Sequence, residues 1–303
     1  MRFLPSVNIT DPKLETKTSF GSLRNPIGLA GGFDKTGDHL EVLQKLGFGY
    51  LIAGTITLDP WSGHPKPRIV RNPPEKTMVN ALGFPNRGAD DFIRTLKTQK
   101  LKVPVIASVS GRTIEAVIGC YEKLQPHVAG IELNLSSPNT SKLKDLREME
   151  TFKDLAQTMW SKKNKPTYLK VPPYVDEDQY SKILPLVRLW ADLGFEGVTE
   201  GNAIPVNEPR LSIGTGGFSG PPLFPNLLRA LKKIRESVPR DFEVNAVGGI
   251  SNAQNVRDAL ASGANTVQLL TSLVFEGPGL VKTMLRDLLK NSPEVKNEQV
   301  ILK

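Results

Sequence analysis

Short apolar runs rich in β-branched residues recur along the chain, separated by stretches with a helical period. The runs are Pro26–Ala30, Tyr50–Ala53, Val103–Ala107, Gly130–Leu135, Thr167–Val171, Gly197–Glu200, Glu243–Val247 and Thr266–Leu269. Within the fourth, Ile131, Leu133 and Leu135 alternate with Glu132 and Asn134, the period of a strand with two different faces. Helical spacing governs Asp38–Leu46, Thr113–Leu124, Phe152–Lys162, Asp176–Leu193 and Ala253–Ala261. Eight such units with no break in composition predict an α/β fold, a (β/α)₈ TIM barrel, with residues 1–303 as a single domain. An open doubly wound sheet is the alternative for the same alternation. Leu58–Pro85 and Asn202–Pro225 are rich in proline and glycine and too long for simple connections, so they are predicted as loop insertions over the C-terminal face. Residues 1–24 read as a lead-in and Asn291–Lys303 as a polar tail.

In a barrel of this kind the chemistry collects where the strands end. The first run ends in Ala30-Gly31-Gly32-Phe33-Asp34-Lys35, where glycines allow a flat ligand close to the backbone and Lys35 supplies a cation. The second leads to Gly54-Thr55 and the sixth to Asn202. The fourth ends in Asn134 and then Ser136, Ser137, Asn139 and Thr140, with Pro138 marking the end of the strand. Lys170 lies on the side of Tyr168 in an apolar strand and needs an anionic or electron-rich partner there. Glu132 and Glu200, read as pointing into the barrel, are the structural candidates for that partner. The seventh and eighth runs end in Val247-Gly248-Gly249-Ile250-Ser251 and Leu270-Thr271-Ser272, each before a helix, where free N–H groups and the helix dipole suit a phosphate. One glycine pair alone is an ordinary tight turn. With Gly216-Gly217-Phe218-Ser219-Gly220 as a third wall, the order favours a phosphate site.

Composition changes this picture little. A net charge of +8 is spread in small groups not interleaved with aromatics, which argues against a nucleic-acid surface. No apolar run reaches the length of a membrane span, and the first residues lack a signal-peptide core, so a cytoplasmic protein without stable membrane insertion is expected. The single cysteine, Cys120, excludes an internal disulfide and a cysteine-ligated cluster, and reads as a packed thiol on a helix. No cluster of His39, His64 and His127 suggests a metal, and the glycines at Gly28–Gly32 lack dinucleotide-fold spacing.

Six motifs, in order, resemble the dihydroorotate dehydrogenases, flavin-dependent (β/α)₈ enzymes of pyrimidine synthesis. They are Asn25-Pro26-Ile27-Gly28 leading to Gly32-Phe33-Asp34-Lys35; Gly63-His64-Pro65-Lys66-Pro67-Arg68; Val79-Asn80-Ala81-Leu82-Gly83-Phe84; Asn134 to Thr140; Gly216 to Gly220; and Val247-Gly248-Gly249-Ile250. The resemblance spans about Asn25 to Leu289. It implies FMN, with its phosphate at the Gly248-Gly249 and Leu270-Thr271 turns and Gly220 beside them. It also implies a flavin lined by Ala30, Gly31, Thr55 and Asn134, with Lys170 near the ring. Dihydroorotate would be held by Asn80, Asn134, Asn139 and Asn202 beside Gly83 and Phe84, with Lys35 on its carboxylate. Ser137, the residue before the loop proline, would remove the C5 proton, with water or Thr140 as its exit, while hydride passes from C6 to the flavin.

The likeness mixes two branches of that family. Ser137 and Gly32–Lys35 look like the membrane-associated, quinone-using branch, whereas Val105–Gly111 and Lys170–Tyr174 look like the soluble one. Only about 24 mostly polar residues precede the first strand, which argues against quinone use. Fumarate, NAD through a separate iron–sulfur flavoprotein, or a quinone remain the candidate acceptors, and a homodimer is carried over from soluble relatives. Ala203, Glu200 and Lys142 depart from the family pattern. Oxidation or reduction of a related dihydropyrimidine, or a non-catalytic flavin-binding barrel subunit, are the alternative functions.

Overall fold

The computed structural model describes residues 6–137 and 145–290. The chain starts with a hairpin, β1 (Thr16–Thr18) and β2 (Gly21–Leu23), and enters the barrel at β3 (Ile27–Leu29) and β4 (Tyr50–Ile56). It leaves the barrel for β5 (Ile69–Asn72) and β6 (Thr77–Asn80) and returns as β7 (Val105–Val109), β8 (Gly130–Asn134), β9 (Thr167–Val171) and β10 (Gly197–Glu200). A second excursion, β11 (Ile204–Asn207) and β12 (Thr215–Ser219), precedes β13 (Glu243–Val247) and β14 (Thr266–Leu269). The eight described barrel strands pair in parallel and close in the order β10-β13-β14-β3-β4-β7-β8-β9. This is the expected (β/α)₈ barrel, and all eight predicted runs become its strands.

Amphipathic helices cover the outside. Among them are α1 (Leu40–Leu43), α2 (Gly88–Lys97), α3 (Ile114–Leu124), α4 (Met149–Ser161), α5 (Glu177–Asp192), α6 (Phe224–Arg235), α7 (Ala253–Ala261), α8 (Thr271–Glu276) and α9 (Leu280–Lys290). Their starts follow local chemistry. Asp176 caps α5 by accepting the Gln179 N–H at 2.8 Å, and Asn252 caps α7 by accepting the Asn255 N–H at 2.9 Å. The main core lies between strands and helices, with Trp190, Tyr121 and Phe152 fully buried in it.

Two regions differ from expectation. The stretches 58–85 and 202–225 are more than loops: β5, β6, β12 and β11 form one antiparallel sheet, with β12 bridging the two excursions through Gly217 opposite Asn80. Residues 1–24 were expected to be a lead-in, yet the β1–β2 hairpin seals the amino end of the barrel. There Phe20 packs against Tyr50 and Tyr168, with ring centroids 5.2 and 5.7 Å away. Burying such an aromatic contributes about 1.5–3 kcal/mol relative to exposure.

Candidate active site

Strand alternation decides which side chains reach the barrel interior. On β8 and β9 the inward set includes Glu132, Asn134, Tyr168 and Lys170, with Glu132 opposite Tyr168 and Asn134 opposite Lys170. Both Lys170 and Glu132 are almost fully buried, and the Lys170 Nζ lies 3.7 Å from the Glu132 carboxylate. At that distance the pair attracts without a hydrogen bond, and both Glu132 oxygens have no hydrogen-bond partner among the described residues. Desolvating two charges costs free energy that the attraction only partly offsets, so such a pair points to use rather than to stability.

Glu200 does not join this pair. Its register neighbour on β9 is Val171, whereas the inward Lys170 lies opposite Thr199. Glu200 therefore faces the helices, where its Oε2 accepts the Tyr180 hydroxyl of α5 at 2.9 Å. Burial pushes its carboxyl up to about 8, with Tyr180 and the Tyr174 backbone pulling the other way.

A polar network spans the carboxyl ends of β4, β8 and β10. Asn134 Nδ2 donates to Thr55 Oγ1 at 2.8 Å, and Thr55 Oγ1 lies 3.1 Å from Ser108 Oγ. The Ser136 hydroxyl donates to Asn134 Oδ1 at 2.8 Å and accepts from Asn202 Nδ2 at 2.6 Å. The excursion sheet brings a third amide over the mouth, with Asn80 Nδ2 3.4 Å from Gly217 O. Phe84 holds a left-handed φ of +54°, a strained conformation for a side chain of this size, and stacks on Trp61 at 6.1 Å.

Two cavities open here. One, of about 270 Å³, is bordered by Lys35, Thr55, Asn80, Gly83, Phe84, Asn134, Ser137, Lys170 and Asn202. The other, of about 90 Å³, is bordered by Ala30, Gly220, Gly248, Gly249 and Thr271. Gly31, Asn80, Lys170, Asn202, Ala203 and Leu270 border both. Every described residue to which the resemblance gave a role thus lines one cavity or the other, whereas Ser136, Gly216 and Gly217 line neither and Asn139, Thr140 and Lys142 lie outside the described residues. Lys35 donates to the Gly32 carbonyl; desolvation lowers its ammonium to about 8, opposed by the charge of Asp34.

The smaller cavity has the character of a cradle. Gly249 needs its φ of +72° and its missing side chain, because a Cβ would meet Phe224 N at 2.5 Å. A Cβ on Gly248 would find only Leu227 Cβ, at 3.9 Å, so that backbone lies open. Thr271 Oγ1 donates to Ser219 Oγ at 2.9 Å across the cradle. Gln268, which sequence reasoning overlooked, is buried on its wall beside the Tyr50 hydroxyl. Its amide interacts with that hydroxyl but makes no hydrogen bond of good geometry among the described residues, and neither does the Ser272 hydroxyl. A polar residue at an inward position of the buried Thr266–Leu269 strand was the available signal.

Other features bear on chemistry less directly. Cys120 is buried, and desolvation pushes its thiol up to about 12. Among the described residues no three His, Cys, Asp or Glu side chains group as metal ligands, and no helix is long and apolar enough to cross a membrane.

Comparison with known proteins agrees with this architecture. The family model described as dihydroorotate dehydrogenase matches residues 13–291. A dihydroorotate dehydrogenase (quinone) of Coxiella burnetii (strain Dugway 5J108-111) is 33% identical over 293 residues, covering 87% of this chain and 81% of the relative. A protein of the same name from Neisseria meningitidis serogroup B is 30% identical, covering 93% of this chain and 90% of the relative. Ligand-free DHODH from Eimeria tenella superposes with a TM-score of 0.84 at 22% identity, covering 95% of this chain and 90% of that one, which bears on the fold.

Proposed function

This chain belongs to the dihydroorotate dehydrogenase family, and on that premise we propose that it oxidises dihydroorotate to orotate with bound FMN, in pyrimidine biosynthesis. The observation that carries the reading is the buried Gln268 amide in the Gly248–Gly249 cradle, which makes no hydrogen bond of good geometry among the described residues, beside a second cavity ringed by Lys170 and three asparagines. Unpaired buried amides are costly unless a ligand completes them. The cradle fits a phosphorylated flavin: Gly220, Gly248, Gly249 and Thr271 would hold the phosphate, Ala30, Gly31, Thr55 and Leu270 would line the body, and Gln268 would meet its polar atoms.

FMN supplies the hydride acceptor when bound. The residues of this chain do the rest. Lys35 pairs with the substrate carboxylate, and Asn80, Asn134 and Asn202 hold the ring beside Gly83 and Phe84, with Asn139 as a fourth amide. Ser137 takes the proton from C5 as the C6 hydrogen leaves with its electron pair, and a C5=C6 double bond forms. A serine hydroxyl ionises far above neutral pH, so its own proton must leave during the step, through water or Thr140. Lys170, whose Nζ lies 3.7 Å from the Glu132 carboxylate, stabilises negative charge arriving near it.

Anaerobic mixing of the yellow protein with dihydroorotate tests the reading. Bleaching of the flavin supports it. In Ser137→Ala the flavin stays bound and bleaches far more slowly; bleaching at the wild-type rate removes Ser137 from the role of base.

A further inference from the structure

We infer that Ser136, the neighbour of the proposed base, is a positioning residue that turns two substrate asparagines into donors toward the ligand; this rests on the dihydroorotate reading. Its hydroxyl sits between Asn134 Oδ1 at 2.8 Å and Asn202 Nδ2 at 2.6 Å, donating to one and accepting from the other. Backbone N–H groups, which only donate, identify the amide oxygens on both sides. Ser136 N donates to Asn134 Oδ1 at 3.2 Å, and Ala203 N donates to Asn202 Oδ1 at 2.8 Å.

Counting the remaining valences shows what a ligand meets. Asn134 Oδ1 already accepts from the Ser136 N–H and hydroxyl, which occupies both lone pairs. Asn134 Nδ2 spends one hydrogen on Thr55, so the amide has one N–H left to offer. Asn202 spends one N–H on Ser136 and keeps the other, while its Oδ1, which accepts from Ala203 N, keeps one lone pair. An amide that turns freely presents donor or acceptor alike. These two, linked through one hydroxyl, each hold an N–H in a fixed place, which suits ligand carbonyl oxygens such as those a dihydropyrimidine carries at C2 and C4.

The backbone around Ser136 is held independently of its hydroxyl. Ser110 Oγ donates to Asn134 O at 2.9 Å, and Arg147 donates to Leu135 O at 2.7 Å. Removing the hydroxyl therefore breaks the link between the two amides and loosens each, leaving Asn134 to the Ser136 N–H and Thr55 and Asn202 to the Ala203 N–H, without releasing the strand end.

The test is calorimetric binding of orotate to the flavin-loaded protein. In Ser136→Ala, orotate binds about tenfold more weakly, the loss expected when a buried amide is no longer oriented, with flavin content and melting temperature unchanged. Ser136→Cys, close in size but a weak hydrogen bonder, loses affinity in the same direction and covers a poorly folding alanine variant. Because Ser136 acts partly through Asn202, Ser136→Ala with Asn202→Ala weakens binding by clearly less than the product of the single effects. Wild-type affinity in both Ser136 variants, or a double variant that multiplies, overturns the positioning role. Failure of the wild-type protein to bind orotate strikes the parent reading and this inference with it.

Discussion

The two ends of one barrel are finished differently. At the amino end, Glu243 accepts from Ser19 N and Ser19 Oγ, both at 2.6 Å, and from the Tyr168 hydroxyl at 2.7 Å. The Tyr50 hydroxyl pairs with Thr266 Oγ1 at 2.7 Å, and Thr266 donates to Asn245 at 2.6 Å. Two residues further along β14, Gln268 makes no hydrogen bond of good geometry among the described residues, and neither do Thr199 Oγ1 and Ser272 Oγ. The strands are the same, and only the completion differs. Buried polar groups satisfied within the chain hold the fold, whereas open ones that border a cavity, as Gln268 and Ser272 do, mark where another molecule completes it.

If so, changes at the carboxyl end cost chemistry and changes at the amino end cost stability. The largest effect is expected at Ser137: replacement by alanine slows flavin reduction by dihydroorotate about 10²–10⁴-fold in stopped-flow measurements, with the urea midpoint unmoved. Next comes Glu243→Ala, which strips Tyr168 and Ser19 of their acceptor. It lowers unfolding free energy by about 2–4 kcal/mol while the folded fraction keeps its rate of flavin reduction. A drop in that rate would blur the division between the ends.

Gln268→Leu is expected to weaken FMN binding about tenfold while leaving the flavin-free protein at least as stable, since it removes an unmet buried amide. The smallest effect is a pH dependence. Lys35 is charged below about 8 and neutral above it, because desolvation lowers its ammonium. Affinity for the orotate carboxylate therefore falls as pH rises through about 8, by about fourfold between pH 7 and 8.5, and Lys35→Met flattens the profile.

The barrel was legible because its strands are dense apolar runs: Thr167–Val171, Gly197–Glu200, Glu243–Val247 and Thr266–Leu269 run from end to end as read. The excursion sheet was hidden. Gly216 and Gly217 in β12 look like a turn, and β11 carries Pro205, yet pairing across two distant segments makes strands of both. The hairpin was hidden by polarity, since β1 and β2 are short and only Phe20 and Leu23 mark the buried side. At the site, strand ends pointed to Lys170, Asn134 and the glycine turns. The partner of Lys170 was narrowed to two glutamates, and parity along β10 chooses between them: Glu200 shares its face with Val198, away from Thr199. Ser136 and Gln268 carried no signal beyond polarity, because their significance lies in which bonds are made and which are left open across strands far apart in sequence.

The central claim is that FMN completes the open end. The most direct measurement is the urea unfolding of flavin-stripped protein titrated with FMN, wild type beside Gln268→Leu. The account predicts that FMN stabilises the wild-type chain progressively as its concentration passes the dissociation constant, and that the variant needs about tenfold more. Wild-type unfolding that is indifferent to FMN would contradict it.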